Sequence, residues 1–113
     1  MKQVKKYNKL IRDKILEIIK NSGEKPYWRI LTKKEYLSEI KKKILEEAKE
    51  LILAEKKKDV VNEIDIQELI DVLMLELKLS KSEIIKQQEI KRRKRGGFKK
   101  KLFLIKTEKL IKR

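Results

Sequence analysis

Two acidic motifs are the residues of this sequence best suited to chemistry. Glu46, Glu47 and Glu50 form an EExxE pattern, and Glu68 and Asp71 form an ExxD pattern that begins 18 residues after Glu50. Positions i and i+3 share one face of a helix, so each motif presents a pair of carboxylates. Paired carboxylates are typical of sites that bind hard cations or take protons from water.

Both motifs occupy positions where a helix would be expected to face the core. Glu47 shares its helical stripe with four apolar residues, Ile40, Ile44, Leu51 and Ala54. Glu68 and Asp71 lie in line with Ile64 and Leu75, on a helix that is apolar nearly all round. Desolvating an unpaired charge costs several kcal/mol, so these positions require an explanation.

A bound cation would explain carboxylates in a core. If the two helices pack antiparallel with all four carboxylates about 5 Å apart, each pair repels by roughly 3 kcal/mol at an effective dielectric of about 20. Six such pairs would outweigh the roughly 5–15 kcal/mol that stabilises a domain. Lysine or arginine could supply the positive charge, but an all-oxygen ligand set is what Mg²⁺ selects, with Mn²⁺ as the alternative ion. The opposing interpretation is that both motifs are solvated faces of surface helices.

Composition predicts a single all-α domain over residues 1–113. Charged residues make up 45% and aromatic residues 5% of the 113 residues, and isoleucine and leucine supply most of the apolar material. The absence of cysteine and histidine excludes disulfides, thiol chemistry and the usual zinc sites. No apolar run approaches the ~20 residues of a membrane span, and we expect a cytoplasmic protein with no membrane partner.

The net charge of +15 is concentrated at the C-terminus. Residues 91–113 contain 12 basic residues and one acidic residue, whereas residues 1–90 contain 21 basic and 17 acidic residues. A segment with a net charge of +11 indicates either an anionic partner, such as nucleic acid or a nucleotide, or a solvated tail.

The sequence also predicts the elements that must position the motifs. Capping signals and apolar periodicity predict four helices. The first is capped by Asp13 and runs to about Lys20, and the second spans residues 32–58 behind a capping box of Thr32 and Glu35. After a bend at residues 59–62, the ExxD helix runs to about Leu79.

A second capping box, Ser80 with Glu83, opens a basic helix that Gly96 ends. Residues 27–31 and 102–105 are expected to be short extended segments or strands.

These motifs together resemble a known family. EExxE and ExxD on consecutive helices are similar to the MazG-like all-α nucleoside triphosphate pyrophosphohydrolases, the superfamily that includes phosphoribosyl-ATP pyrophosphohydrolases. The sequence YNKLIRDKI at residues 7–15 resembles the opening of a small phosphoribosyl-ATP pyrophosphohydrolase-like branch. In that branch a basic segment that ends in RGGF also follows the last helix, and it resembles residues 95–98 of this sequence. The resemblance covers about residues 7–104 and implies a MazG-like helical bundle.

The resemblance implies a site and an activity. It implies that Glu47, Glu50, Glu68 and Asp71 are Mg²⁺ ligands, and that Glu46 lies beside them or binds a further ion. The implied reaction is cleavage of a nucleotide between its α and β phosphates, which gives the monophosphate and pyrophosphate. Two departures are Leu16, where the branch often has proline, and Met74, where it often has a further glutamate. Met74 puts a second ion or the usual arrangement for activating water in doubt.

The chemistry of phosphoanhydride hydrolysis is compatible with these residues. Water attacks in line, and catalysis consists mainly of positioning and charge neutralisation. A carboxylate such as Glu46 or Glu47 can take the proton from water, so histidine is not required. Candidate cations for the phosphates are Lys9, Arg12, Lys14, Arg92 and Arg95, and Trp28 is a candidate to stack on the base.

Two other functions are open. A small nucleic-acid-binding protein would use residues 91–113 but leaves the carboxylates in core positions unexplained. A helical regulatory module that has lost catalysis would be consistent with Met74. Whatever the function, too few helices are available to cover the apolar stretch at residues 69–79, so we expect a homodimer or a larger homo-oligomer.

Overall fold

The computed structural model describes residues 2–111 as two compact units, residues 2–79 and residues 80–111. The first unit contains four α-helices and one 3₁₀ turn: α1 (Ile15–Asn21), α2 (Lys33–Leu53), α3 (Lys57–Val61), the 3₁₀ turn (Asn62–Ile64) and α4 (Asp65–Glu76). The second unit contains α5 (Lys81–Arg95). The all-α prediction is confirmed. Residues 27–31 and 102–105 form no strand, so the strand alternative expected there was wrong.

The antiparallel packing of α2 and α4 forms the centre of the first unit. Tyr36, in the first turn of α2, has a raised pKa because it is partly buried and because Glu76, at the end of α4, lies near it. Glu47, late in α2, instead approaches Glu63, just before α4. The two helices therefore run in opposite directions, as predicted. Ile40 is the one fully buried apolar residue among residues 2–111.

The start of α2 is fixed by side-chain hydrogen bonds. The Thr32 hydroxyl accepts from the Glu35 amide at 3.2 Å, and the Glu35 carboxylate accepts from the Thr32 amide at 3.1 Å. The predicted capping box is thus confirmed. The Arg29 guanidinium donates to both Glu35 oxygens, at 3.0 and 2.5 Å. These contacts, the Arg29 hydrogen bond above all, lower the pKa of Glu35 to about 2.

The end of α2 differs from the prediction. The helix stops at Leu53 instead of Lys58, and Ala54 and Lys56 adopt extended backbone angles. Residues 59–62, predicted to be the bend, belong to α3 and the 3₁₀ turn. Alanine, glutamate and lysine all favour helices, so the local sequence carries no stop signal at this point. The packing of α4 back onto α2 overrides that propensity.

The other helix boundaries mostly follow their capping residues. Asp13 lies in a turn before α1 and is not its N-cap, which is Lys14, so that prediction was one residue early. The Ser80 hydroxyl accepts from the Glu83 amide at 3.2 Å and opens α5. Gly96 ends α5 with a φ of 79°, a conformation that favours glycine. No helix among residues 2–111 combines the length and the hydrophobicity that crossing a bilayer requires.

The Glu35 contacts predict an acid-dependent loss of stability. Because folding lowers the pKa of Glu35 from 4.5 to about 2, its contribution is fully present above pH ~4.5 and is lost as the pH falls toward 2. Glu35→Gln should therefore lower the melting temperature at pH 7, and the difference from wild type should shrink to nearly nothing at pH 2. Thermal melts at four or five pH values test this. A difference independent of pH would contradict the Arg29–Glu35 pair as its source.

Candidate metal centre

Glu47 is a buried carboxylate on the central helix. It is 8% exposed and lies on the side of α2 that carries Ile40, which confirms its predicted core position. Burial raises the pKa of Glu47, and the neighbouring Glu63 carboxyl raises it further. The charged form of Glu47 is therefore disfavoured unless a positive charge is close by.

Three carboxylates meet at the end of α2. Glu47, Glu50 and Glu63 each place one oxygen so that these atoms all lie within 4.8 Å of one another. The neighbouring Glu47 carboxyl raises the pKa of Glu50. Lys43 is close enough to offset part of both shifts. The three residues are hereafter called the glutamate cluster.

Glu63 was not predicted from the sequence. It lies in the 3₁₀ turn between α3 and α4, where its own backbone departs from helical angles at φ −90° and ψ 20°. Its Oε2 atom is buried and has no hydrogen-bond partner. A lone glutamate outside both motifs, at the predicted start of the ExxD helix, carries no signal that would have identified it.

The glutamate cluster fits a divalent cation. Its donor atoms are all carboxylate oxygens, which suit Mg²⁺ or Mn²⁺, and a buried Glu63 oxygen is left without a partner. Within residues 2–111, no lysine or arginine nitrogen lies within 4.0 Å of the three carboxylates. Among the described residues, Lys43 therefore acts on the cluster only from beyond ion-pair distance and offsets part of its negative charge.

The ExxD residues lie outside the glutamate cluster. Glu68 is 57% exposed on its side chain, so the prediction that it faces the core was wrong, and Asp71 is partly exposed. The reason is the orientation of α4. It leaves Ile64 and Leu75, the residues in line with Glu68 and Asp71, 67% and 70% exposed. Whether Glu68 and Asp71 bind metal stays a prediction.

The N-terminal segment brings two predicted phosphate-binding cations to the motifs. Lys9 Nζ lies 3.4 Å from Glu46 Oε1 on α2. Arg12 Nη2 lies 2.7 Å from Asp65 Oδ1 and also donates to Glu68 Oε2, both on the first turn of α4. These hydrogen bonds, that to Glu68 foremost, raise the pKa of Arg12. Residues 9–12 thus connect the two motif helices through side chains.

The other predicted binding residues are exposed. Lys14 is the N-cap of α1, and Trp28 is 57% exposed in the coil before α2. Arg92 and Arg95 lie in the last turn of α5, in the second unit, where Arg93 and Lys94 complete a basic turn. Their roles in substrate binding stay predictions.

Comparison with known proteins gives no further information about this site. Comparisons with protein-family models, with curated proteins and with solved structures found no match for the chain. The functional argument therefore depends on the residues themselves.

Neutralising Glu63 and neutralising Glu68 should change the stability of the protein in opposite directions. In excess chelator, Glu63→Gln should raise stability by about 1–2 kcal/mol, because its amide can donate to the Glu47 carboxylate. That corresponds to a melting temperature about 5–10 °C higher. Glu68→Gln should lower stability by at most about 1 kcal/mol, because it removes an exposed partner of Arg12.

Thermal melts of both variants test this, with Glu55→Gln as the control for loss of one exposed negative charge. If Glu63→Gln melted below wild type, Glu63 would have a stabilising partner, and a cation-binding role for the glutamate cluster would lose its main support.

Proposed function

We propose that this protein is a MazG-like nucleotide pyrophosphohydrolase that depends on Mg²⁺, or on Mn²⁺ in its place. It hydrolyses a nucleoside triphosphate, or a related nucleotide such as phosphoribosyl-ATP, to the monophosphate and pyrophosphate. The observation that carries the proposal is the glutamate cluster, which combines a buried Glu47 with an unpartnered Glu63 oxygen. The antiparallel α2 and α4 and the cations on the N-terminal segment support it further.

Each part of the reaction has candidate residues in this chain. Glu47, Glu50 and Glu63 would hold the divalent cation, with Glu68 and Asp71 as the further ligands that the resemblance implies. When bound, the cation neutralises phosphate charge and polarises the anhydride. Glu46, which is partly exposed and precedes Glu47 in the chain, is the candidate to accept the proton of the attacking water. Lys9 and Arg12, which contact residues of the two motif helices, are candidates to bind the phosphates.

Metal binding and hydrolysis should depend on the same carboxylates. At a concentration one hundred times its Kd, a cation that binds only the folded state stabilises it by about 2.7 kcal/mol. For a domain of this size, that is a rise in melting temperature of roughly 10 °C. Glu47→Gln should abolish both this rise and the Mg²⁺-dependent release of pyrophosphate. A panel of nucleoside triphosphates, assayed with and without Mg²⁺, identifies the base preference.

The matched control is Glu39→Gln, an earlier α2 glutamate whose carboxylate pairs with Lys42 instead. Wild-type protein that released no pyrophosphate from any nucleotide, yet showed the thermal shift, would favour the inactive regulatory module. Absence of both effects would overturn the proposal.

The proposal includes self-association. Several apolar side chains of the first unit are exposed, and one apolar residue is fully buried. The most exposed on α1, α2 and α4, its three longest helices, are Ile18, Leu45, Ile52, Leu53 and Leu75. An apolar surface of this kind is typical of a subunit interface. A second copy of the chain is the occupant proposed for it.

Self-association can be tested by analytical ultracentrifugation. The molar mass obtained for the wild-type protein should be at least about twice the monomer mass of 13.6 kDa. Leu75→Lys, on the exposed face of α4, should weaken association at least tenfold, about 1.4 kcal/mol, because it places a charge in an apolar interface. Ile30→Lys is the control, since Ile30 is equally apolar but lies in coil. A monomeric wild type would contradict this part.

One observation favours nucleic-acid binding as a second candidate function. The last turn of α5 carries four consecutive basic residues, and the described residues that follow are exposed. Binding through phosphate contacts would weaken steeply as the salt concentration rises. Tight, salt-sensitive binding of DNA or RNA without pyrophosphate release would favour this function over the hydrolase.

A further inference from the structure

Arg12 is a predicted phosphate-binding residue, but its side chain pairs with a predicted metal ligand. Its guanidinium donates to Asp65 and Glu68, which lie 53 and 56 residues later in the chain. Glu68 is one of the predicted metal ligands, and Arg12 is one of the predicted phosphate-binding residues. As long as Arg12 neutralises Glu68, the Glu68 carboxylate is less available to a cation and Arg12 is less available to phosphate.

The surroundings of Arg12 allow it to change partners. The Arg12 side chain is 54% exposed, and those of Asp65 and Glu68 are 35% and 57% exposed, so a dissolved anion can reach the guanidinium. Arginine binds phosphate oxygens with the same two-pronged geometry that it uses for carboxylates. Residues 2–11 make no backbone hydrogen bond, and the Arg12 carbonyl accepts one from the Ile15 amide at 3.1 Å. The exchange therefore needs movement only of the Arg12 side chain and of the residues before it.

We propose that Arg12 exchanges Asp65 and Glu68 for the phosphates of a bound nucleotide, and that this exchange releases Glu68 to the divalent cation. The inference rests on the proposed function and adds a coupling between its two ligands. Once Arg12 leaves, Asp65 and Glu68 are two like charges three residues apart on one helix, an arrangement that a cation stabilises. By linkage, a cation at Glu68 must strengthen nucleotide binding by the same factor.

The distinctive consequence is that losing Arg12 has opposite effects on the two ligands. In Arg12→Gln, Mn²⁺ alone should bind about fivefold more tightly than in wild type, because Glu68 has lost its competitor. The same variant should bind α,β-methylene-ATP in saturating Mg²⁺ at least fivefold more weakly. Mn²⁺ binding is measured by electron paramagnetic resonance of the free ion, and nucleotide binding by calorimetry.

Two controls separate exchange from a general change in charge. Arg29→Gln removes an arginine that also binds a carboxylate, that of Glu35, at the start of α2, and it should change neither affinity. In a Glu68→Gln background, adding Arg12→Gln should no longer tighten Mn²⁺ binding, because the released ligand is absent. A gain that persists in that background would mean that Arg12 acts through its long-range field, and would overturn the exchange.

A second variant keeps the test decisive if Arg12→Gln does not fold. Arg12→Lys keeps the charge, but its nitrogen lies one bond nearer the backbone than Arg12 Nη2, which contacts both carboxylates, and it cannot bind a phosphate through two nitrogens. Its Mn²⁺ affinity should therefore lie above that of wild type and its nucleotide affinity below. Wild-type values for both ligands, or changes in the same direction, would overturn the inference. Failure of the proposed function is distinguishable, since wild type itself would then bind no divalent cation and hydrolyse no nucleotide.

Discussion

The main constraint on this structure is a carboxylate that is buried where α2 meets the start of α4. Glu47 takes a position in the central stripe that an isoleucine or leucine would stabilise by several kcal/mol more. The connection between the helices then brings Glu63 against it, adding a second negative charge to a poorly solvated position. With Ile40 as the one fully buried apolar residue described, little hydrophobic burial offsets this repulsion. The buried Glu47 and its neighbour Glu63 lower the stability of the core, as is typical of functional positions.

Local signals in the sequence predicted the beginnings of helices better than their ends. Thr32 with Glu35, and Ser80, open helices through hydrogen bonds that span three residues, so their geometry is nearly independent of the rest of the chain. Gly96 ends α5 for an equally local reason. The end of α2 at Leu53 is different, because Ala54 to Lys56 all favour helix and only the return of α4 forces the break.

The same distinction explains which site residues could be predicted. Glu47 and Glu50 are three residues apart on one helix, so the sequence suffices to bring them together. Glu63 reaches them through the 3₁₀ turn, and Arg12 reaches Glu68 across 56 residues, so both contacts depend on how the helices pack. Glu68 was assigned to the core because α4 is apolar nearly all round, and such a helix has no periodicity to show which face is buried.

The N-terminal segment has a further consequence for how the protein behaves in solution. Residues 2–11 donate no backbone hydrogen bond, yet Lys9 within the segment and Arg12 directly after it are held in place through their side chains. Amide hydrogen exchange would therefore report the segment as unprotected, although its cations are positioned. Because exposed ion pairs are screened by salt and helices are not, raising the ionic strength would detach these cations long before any helix melts.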